Sequence, residues 1–74
     1  MNEITFMQVR IIRLALEYWN LPIEKIMEIF KDGKVLEYIE TGYGIFHCEG
    51  DEAVFEDIES MLDRKGLKPI SSFE

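Results

Sequence analysis

The sequence predicts a small all-α domain, a four-helix orthogonal bundle with a helix-turn-helix-like middle. Apolar residues recur at steps of three and four through most of the chain, which is the spacing of a helical face. Short segments that contain Pro22, Gly33 and Gly50 separate four such stretches. One domain is therefore expected over residues 1–66, followed by a loose tail over residues 67–74.

The first helix is predicted from Glu3 to Trp19, and its apolar face is unusually wide. That face covers roughly 220° when successive residues are turned by about 100°. Since a single neighbouring layer needs a narrower band, this helix is expected to be central, or to be buried partly by a second chain. The candidate residues of a protein interface all lie on it: Phe6, Val9, Leu14, Leu16, Tyr18 and Trp19. Burial in the core of one chain is the alternative for each of them.

The second and third helices follow after short turns. Pro22 disfavours helix in the residue before it and suits the start of a new helix. The second helix is predicted to run to about Lys31, and Asp32-Gly33 to end it, because glycine accepts a positive φ. The third helix is predicted from Lys34 to Thr41, with its apolar side at Val35, Leu36 and Ile39.

The stretch after the third helix allows two interpretations. Gly42 and Gly44 are expected to interrupt the chain around Tyr43. Ile45 to Cys48 is then either a last helical turn or a short strand that pairs with Lys68 to Phe73. The helical turn is favoured, because an isolated pair of strands is marginally stable in water.

The last helix is predicted to begin at Gly50-Asp51 and to end near Gly66. Acidic residues in its first turn and Arg64-Lys65 in its last turn complement the helix dipole. Its inward face is predicted to consist of Val54, Phe55, Ile58, Met61 and Leu62. Its carboxylates are expected to form a solvated outer face: Glu52, Glu56, Asp57, Glu59 and Asp63.

Composition narrows the class of partner. Eight basic and fifteen acidic residues give a net charge of −7, which repels phosphate backbones and anionic lipid and attracts a basic protein. The single cysteine cannot form an internal disulfide, which fits a reducing cytoplasm. Charged residues interrupt the apolar first helix, so neither a signal peptide nor a membrane span is predicted.

The residues do not predict catalysis. Zinc sites use four ligands, and His47 and Cys48 are the only histidine and cysteine of the chain. Neighbouring residues rarely aim at one point, which disfavours a Cys–His nucleophile. We expect His47 to bond a backbone carbonyl or a carboxylate, and Cys48 to fill a small apolar space. No cofactor, metal or enzymatic activity is predicted.

The second and third helices also have the lengths of a helix-turn-helix, so a transcriptional regulator is the alternative hypothesis. A DNA-reading helix offers Arg, Lys, Asn or Gln to bases and phosphates. The third helix instead offers Glu37, Tyr38, Glu40 and Thr41. Nucleic acid binding by one chain alone is therefore not expected. Under this alternative, the protein would bind DNA only as a dimer or in a complex.

The run from Tyr43 to Gly50 carries a family resemblance. A tyrosine, an apolar pair, a histidine and a glycine precede an acidic final helix: here Tyr43, Ile45-Phe46, His47 and Gly50. With the elements before it, this pattern resembles a family of small bacterial proteins that is catalogued as a domain of unknown function. The resemblance covers about Phe6 to Gly66. Gly44 and Cys48-Glu49 depart from the pattern.

The resemblance implies no activity, but it suggests which genes lie beside the gene for this protein. Members are sometimes encoded beside genes for ADP-ribosyltransferase-like toxins, which suggests an antitoxin-like or accessory role. Together with the acidic charge and the wide apolar face, this predicts a cytoplasmic, non-enzymatic protein that binds a protein partner or a second copy of itself.

Overall fold

Four helices form the described part of the chain, residues 2–67, in a computed structural model. They are α1 (Glu3–Trp19), α2 (Ile23–Gly33), α3 (Val35–Phe46) and α4 (Asp51–Arg64). The predicted all-α class is confirmed, and α1 has the predicted bounds. Within residues 2–67, none of the helices is long and apolar enough to cross a membrane.

The first helix is the centre of the fold, because it packs against each of the other three. Its innermost residues, Met7, Ile11 and Ala15, are four apart and fully buried or nearly so. The side chain of Asn2 caps its first turn by accepting a hydrogen bond of 2.8 Å from the amide of Thr5. Asn20 ends it in the left-handed conformation, which asparagine tolerates better than most residues.

The junction of α2 and α3 differs from the prediction. Gly33 does not stop α2 with a positive φ; it is the last residue of α2, and Lys34 takes the left-handed conformation at φ 55°. Glycine is needed at 33 for space, since a Cβ atom there would lie 2.5 Å from Cδ2 of Leu62. The connection is therefore Lys34 alone, shorter than the predicted turn.

The third helix is longer than predicted. It does not end at Thr41 but continues through Gly42 and Gly44 to Phe46. Phe46 is buried in the core, and burial of an aromatic side chain stabilises the fold by about 1.5–3 kcal/mol, which offsets the roughly 2 kcal/mol that two glycines cost in a helix. The strand alternative for residues 45–48 is thus wrong, and its suggested partner, residues 68–73, lies outside the described residues.

The fourth helix has the predicted inward face, and all five apolar residues predicted on that face are buried. Gly66 follows it with φ 74°, as expected of a C-cap glycine. The amide of Leu67 then donates a hydrogen bond of 2.8 Å to the carbonyl of Leu62, and its side chain packs against the core. The rest of the predicted tail lies outside the described residues.

Candidate functional site

An exposed apolar strip runs along one side of α1. Phe6, Val9 and Leu16 are exposed to 51%, 42% and 39%, although each is apolar. Their spacing of three and seven places them on one side of the helix, over about 15 Å at 1.5 Å per residue. We call these three residues the α1 stripe. Leu14, also predicted at the interface, is half-buried and packs against the core instead.

Trp19 and Tyr18, the remaining two candidates, are both bonded to α4. The indole Nε1 of Trp19 donates a hydrogen bond of 2.8 Å to Glu59, and its ring contacts the rings of Phe30 and Phe55. Trp19 therefore belongs partly to the core. Tyr18 is exposed, but its hydroxyl donates to Glu52 at 2.9 Å. That hydrogen bond, with the charge of Glu52, raises the pKa of Tyr18.

The carboxylates of α4 are therefore not simply a solvated face, as the sequence pattern had predicted. Glu52 and Glu59 accept hydrogen bonds from α1, and Asp57 accepts one of 2.7 Å from the hydroxyl of Tyr38 on α3. Asp57 and Glu59 are half-buried. The reason is the aromatic donors, which lie 19 to 40 residues away in sequence and which a pattern within α4 cannot indicate.

A groove between α3 and α4 is a second surface feature, and the sequence did not indicate it. It has a volume of about 670 Å³. Its lining combines apolar, small and acidic side chains: Tyr38, Thr41, Gly42, Ile45, Phe46, Glu49, Ala53, Glu56, Asp57 and Ser60. We call this feature the α3–α4 groove. Because α3 was predicted to end at Thr41, three of the five α3 residues that line the groove were not expected on a helix: Gly42, Ile45 and Phe46.

Gly42 forms part of this groove for a steric reason. A Cβ atom on it would lie 2.5 Å from Cε2 of Phe46, whose ring occupies the space that a side chain would need. The Tyr38 ring lies 5.5 Å from that of Phe46, and the hydrogen bond from Tyr38 to Asp57 ties the two walls together. This bond, together with burial, raises the pKa of Tyr38.

The residues of the family pattern occupy the end of α3 and the loop after it. Tyr43 and His47 stack with ring centroids 5.3 Å apart, and the Tyr43 hydroxyl donates to Glu3 at 3.2 Å. Burial and the charge of Glu3 raise the pKa of Tyr43. Gly50 is the N-cap of α4, without a side-chain cap. The pattern therefore joins α1, α3 and α4 in space.

His47 and Cys48 do not fill the structural roles expected of them. Cys48 is exposed, so it is no filler of an apolar space. His47 is also exposed and stacks on Tyr43, and its two ring nitrogens lie 3.9 and 3.8 Å from the Cys48 sulfur. Among residues 2–67, no three His, Cys, Asp or Glu side chains are grouped to hold a metal ion.

Comparison with known proteins places the chain in a family. The model of DUF3791, a family of proteins of unknown function, matches residues 6–65, and the chain belongs to that family. The resemblance predicted from the Tyr43 to Gly50 run is thereby confirmed. Searches of curated proteins and of solved structures each gave no significant match.

Proposed function

We propose that this protein is a non-enzymatic binding domain that pairs with a second copy of itself through the α1 stripe. The observation that supports the proposal is the exposure of Phe6, Val9 and Leu16 on one side of the central helix. Covering apolar surface releases about 25 cal/mol per Å², so exposed apolar side chains on one side of a helix favour association.

The distribution of charge favours pairing of two copies along α1. The whole chain carries −7, so two copies repel each other over most of their surfaces. The charged residues of α1 itself balance, because Arg10 and Arg13 stand against Glu3 and Glu17, and Arg10 also pairs with Asp51 of α4 at 2.8 Å. Two copies meeting along α1 therefore bring apolar side chains together with less charge repulsion than two copies meeting along the acidic helix α4. The stripe is short, and the resulting dimer is expected to form at micromolar concentrations or above.

The family resemblance adds an antitoxin-like or accessory role as the setting for such binding. The alternative is a DNA-binding regulator that acts as a dimer or a complex. Two features disfavour this alternative. The helices are connected by Lys34 alone, whereas DNA-binding motifs have a turn of about three or four residues. In addition, α3 exposes Glu37 and Glu40, whose charge repels phosphate.

Sedimentation equilibrium in the presence of a reductant tests the dimer, since reductant prevents a disulfide between two exposed Cys48 side chains. We expect the mass to rise from 8.7 kDa towards twice that value as concentration reaches tens of micromolar. Val9→Asp should hold the protein at the monomer mass, whereas Ile45→Asp, an equal change at an exposed residue of α3, should not. A wild-type mass of 8.7 kDa at every concentration would refute the proposal.

A further inference from the structure

We propose that the α3–α4 groove binds a basic amphipathic helix of a different protein, about two turns of which lie in the groove. This surface is separate from the α1 stripe, and the inference stands whether or not the chain dimerises. It rests on the shape of the groove, the apolar groups that it exposes and the sign of its charges.

The groove presents apolar surface to solvent beside small side chains. Ile45 is 69% exposed, more than any other large apolar residue described. Gly42, Ala53 and Ser60 line the groove with small side chains or none, which leaves room between the two helices. Apolar side chains of a partner would contact Ile45 here and remove it from water, beside the buried ring of Phe46.

The charges of the groove have one sign. Glu49, Glu56 and Asp57 line it, and no basic residue stands among its described lining. Arg64 is a nearby cation, and its charge offsets a small part of the rise in the pKa of Tyr38 that Asp57 and burial cause. A partner that carries Lys or Arg beside its apolar residues is attracted, whereas a second copy of this chain, at −7, is repelled.

The two helices that form the groove favour a helical partner over an extended peptide. Both walls are α-helices, whose backbone groups are already hydrogen-bonded, so the groove has no sheet edge to pair with an extended peptide. A helix brings its own backbone hydrogen bonds and offers apolar and basic faces at a spacing of three and four. From Tyr38 to Phe46 the wall is about 12 Å long at 1.5 Å per residue, which is roughly two turns of a bound helix.

Fluorescence anisotropy with a labelled synthetic peptide tests the inference. The probe is an amphipathic leucine–lysine peptide of about four turns, compared with a shuffled peptide of the same composition. Saturable binding of the amphipathic peptide, with at least about tenfold weaker binding of the shuffled one, is expected if apolar and basic groups must lie on defined faces. Equal binding of the two peptides would mean unspecific attraction to an acidic protein and would overturn the inference.

Two variants with the same change in charge test whether the peptide binds in the α3–α4 groove. Glu56→Lys lies in the groove and should weaken binding about tenfold, whereas Glu28→Lys, an exposed residue of α2, should weaken it by about twofold or less. Ile45→Ser should also weaken binding without a change in charge. Equal effects of Glu56→Lys and Glu28→Lys, or none from Ile45→Ser, would contradict a groove site.

The failure of this inference is distinguishable from failure of the proposed dimer. Val9→Asp should remove dimerisation and leave peptide affinity unchanged, and Ile45→Ser should do the reverse. If Ile45→Ser abolishes the dimer instead, the groove is covered by a second copy, and the assignment to a basic partner is wrong. Circular dichroism of each variant verifies that its helices are intact.

Discussion

The indole Nε1 of Trp19 donates a hydrogen bond of 2.8 Å to a carboxylate oxygen of Glu59, forty residues further along the chain. The same ring lies 5.9 Å from that of Phe30 and 5.5 Å from that of Phe55, between centroids. One side chain of α1 thus contacts both α2 and α4. Trp19, which the sequence pattern offered as an interface residue, is therefore expected to contribute mainly to stability.

Replacing Trp19 by Phe should lower the free energy of unfolding by about 2 kcal/mol, because the donor to Glu59 is lost and the smaller ring fills less of the space between Phe30 and Phe55. Equilibrium unfolding in urea measures the change. Glu59→Gln is the matched control, since its amide oxygen still accepts the bond and the loss should stay below about 1 kcal/mol. An unchanged urea midpoint for Trp19→Phe would show that the contact contributes nothing.

Two glycines of α3 should respond in opposite directions to the same change. Gly42→Ala places a Cβ atom 2.5 Å from the buried ring of Phe46, and overpacking of this kind costs about 1–3 kcal/mol. Gly44→Ala meets nothing within 4 Å, so it should stabilise α3 by about 0.5–1 kcal/mol through helix propensity. Thermal unfolding of both variants measures the pair. A stabilising Gly42→Ala would mean that Phe46 moves aside freely.

Lys34→Gly should stabilise the protein by up to about 1 kcal/mol, since an L-residue in the left-handed conformation carries a strain of roughly that size. The urea midpoint is the measurement. Asn20→Gly is the comparison at an equal φ of 55°, and its effect should be smaller because asparagine accepts this conformation. Loss of stability in Lys34→Gly would indicate that the lysine side chain makes a contribution larger than the backbone strain.

Stability should decline in alkaline solution. The hydroxyl groups of Tyr18, Tyr38 and Tyr43 donate hydrogen bonds to carboxylates, and each tyrosine has a folded-state pKa above the ordinary value of 10.0. A raised pKa means that the stabilisation is complete below pH 10.0 and is lost as the pH rises through the folded-state values. Urea unfolding at several pH values above neutrality measures this decline.

The control for the pH dependence is the double variant Tyr18→Phe, Tyr38→Phe. It should be less stable than the wild type near neutral pH, and its stability should fall less steeply as the pH rises above 10.0. Spectrophotometric titration of the phenolates gives an independent measurement. Identical slopes for the two proteins would assign the alkaline transition to other groups, such as the lysines.

The elements that the sequence predicted well are those whose signal is local. The bounds of α1, the inward face of α4 and the C-cap glycine at 66 all follow from side-chain spacing and capping chemistry. The end of α3 was missed because glycine usually interrupts a helix, and the compensating force, burial of Phe46 in the core, depends on tertiary packing.

The surfaces were predictable only in part, for a similar reason. The spacing of Phe6, Val9 and Leu16 showed that α1 has more apolar surface than one layer covers, and the structure exposes all three. The α3–α4 groove depends on where α3 ends, and the tyrosine and tryptophan donors to α4 lie on other helices. Neither the groove nor these hydrogen bonds can be predicted from the residue pattern of one helix alone.

The exposed thiol of Cys48 gives this protein a built-in reporter position. It is the one cysteine of the chain, and it is adjacent to Glu49, which lines the α3–α4 groove. A small fluorophore attached there would sense a helix arriving in the groove without any engineered residue. The same label on the Val9→Asp variant, which should not pair, would separate occupation of the groove from pairing of two chains.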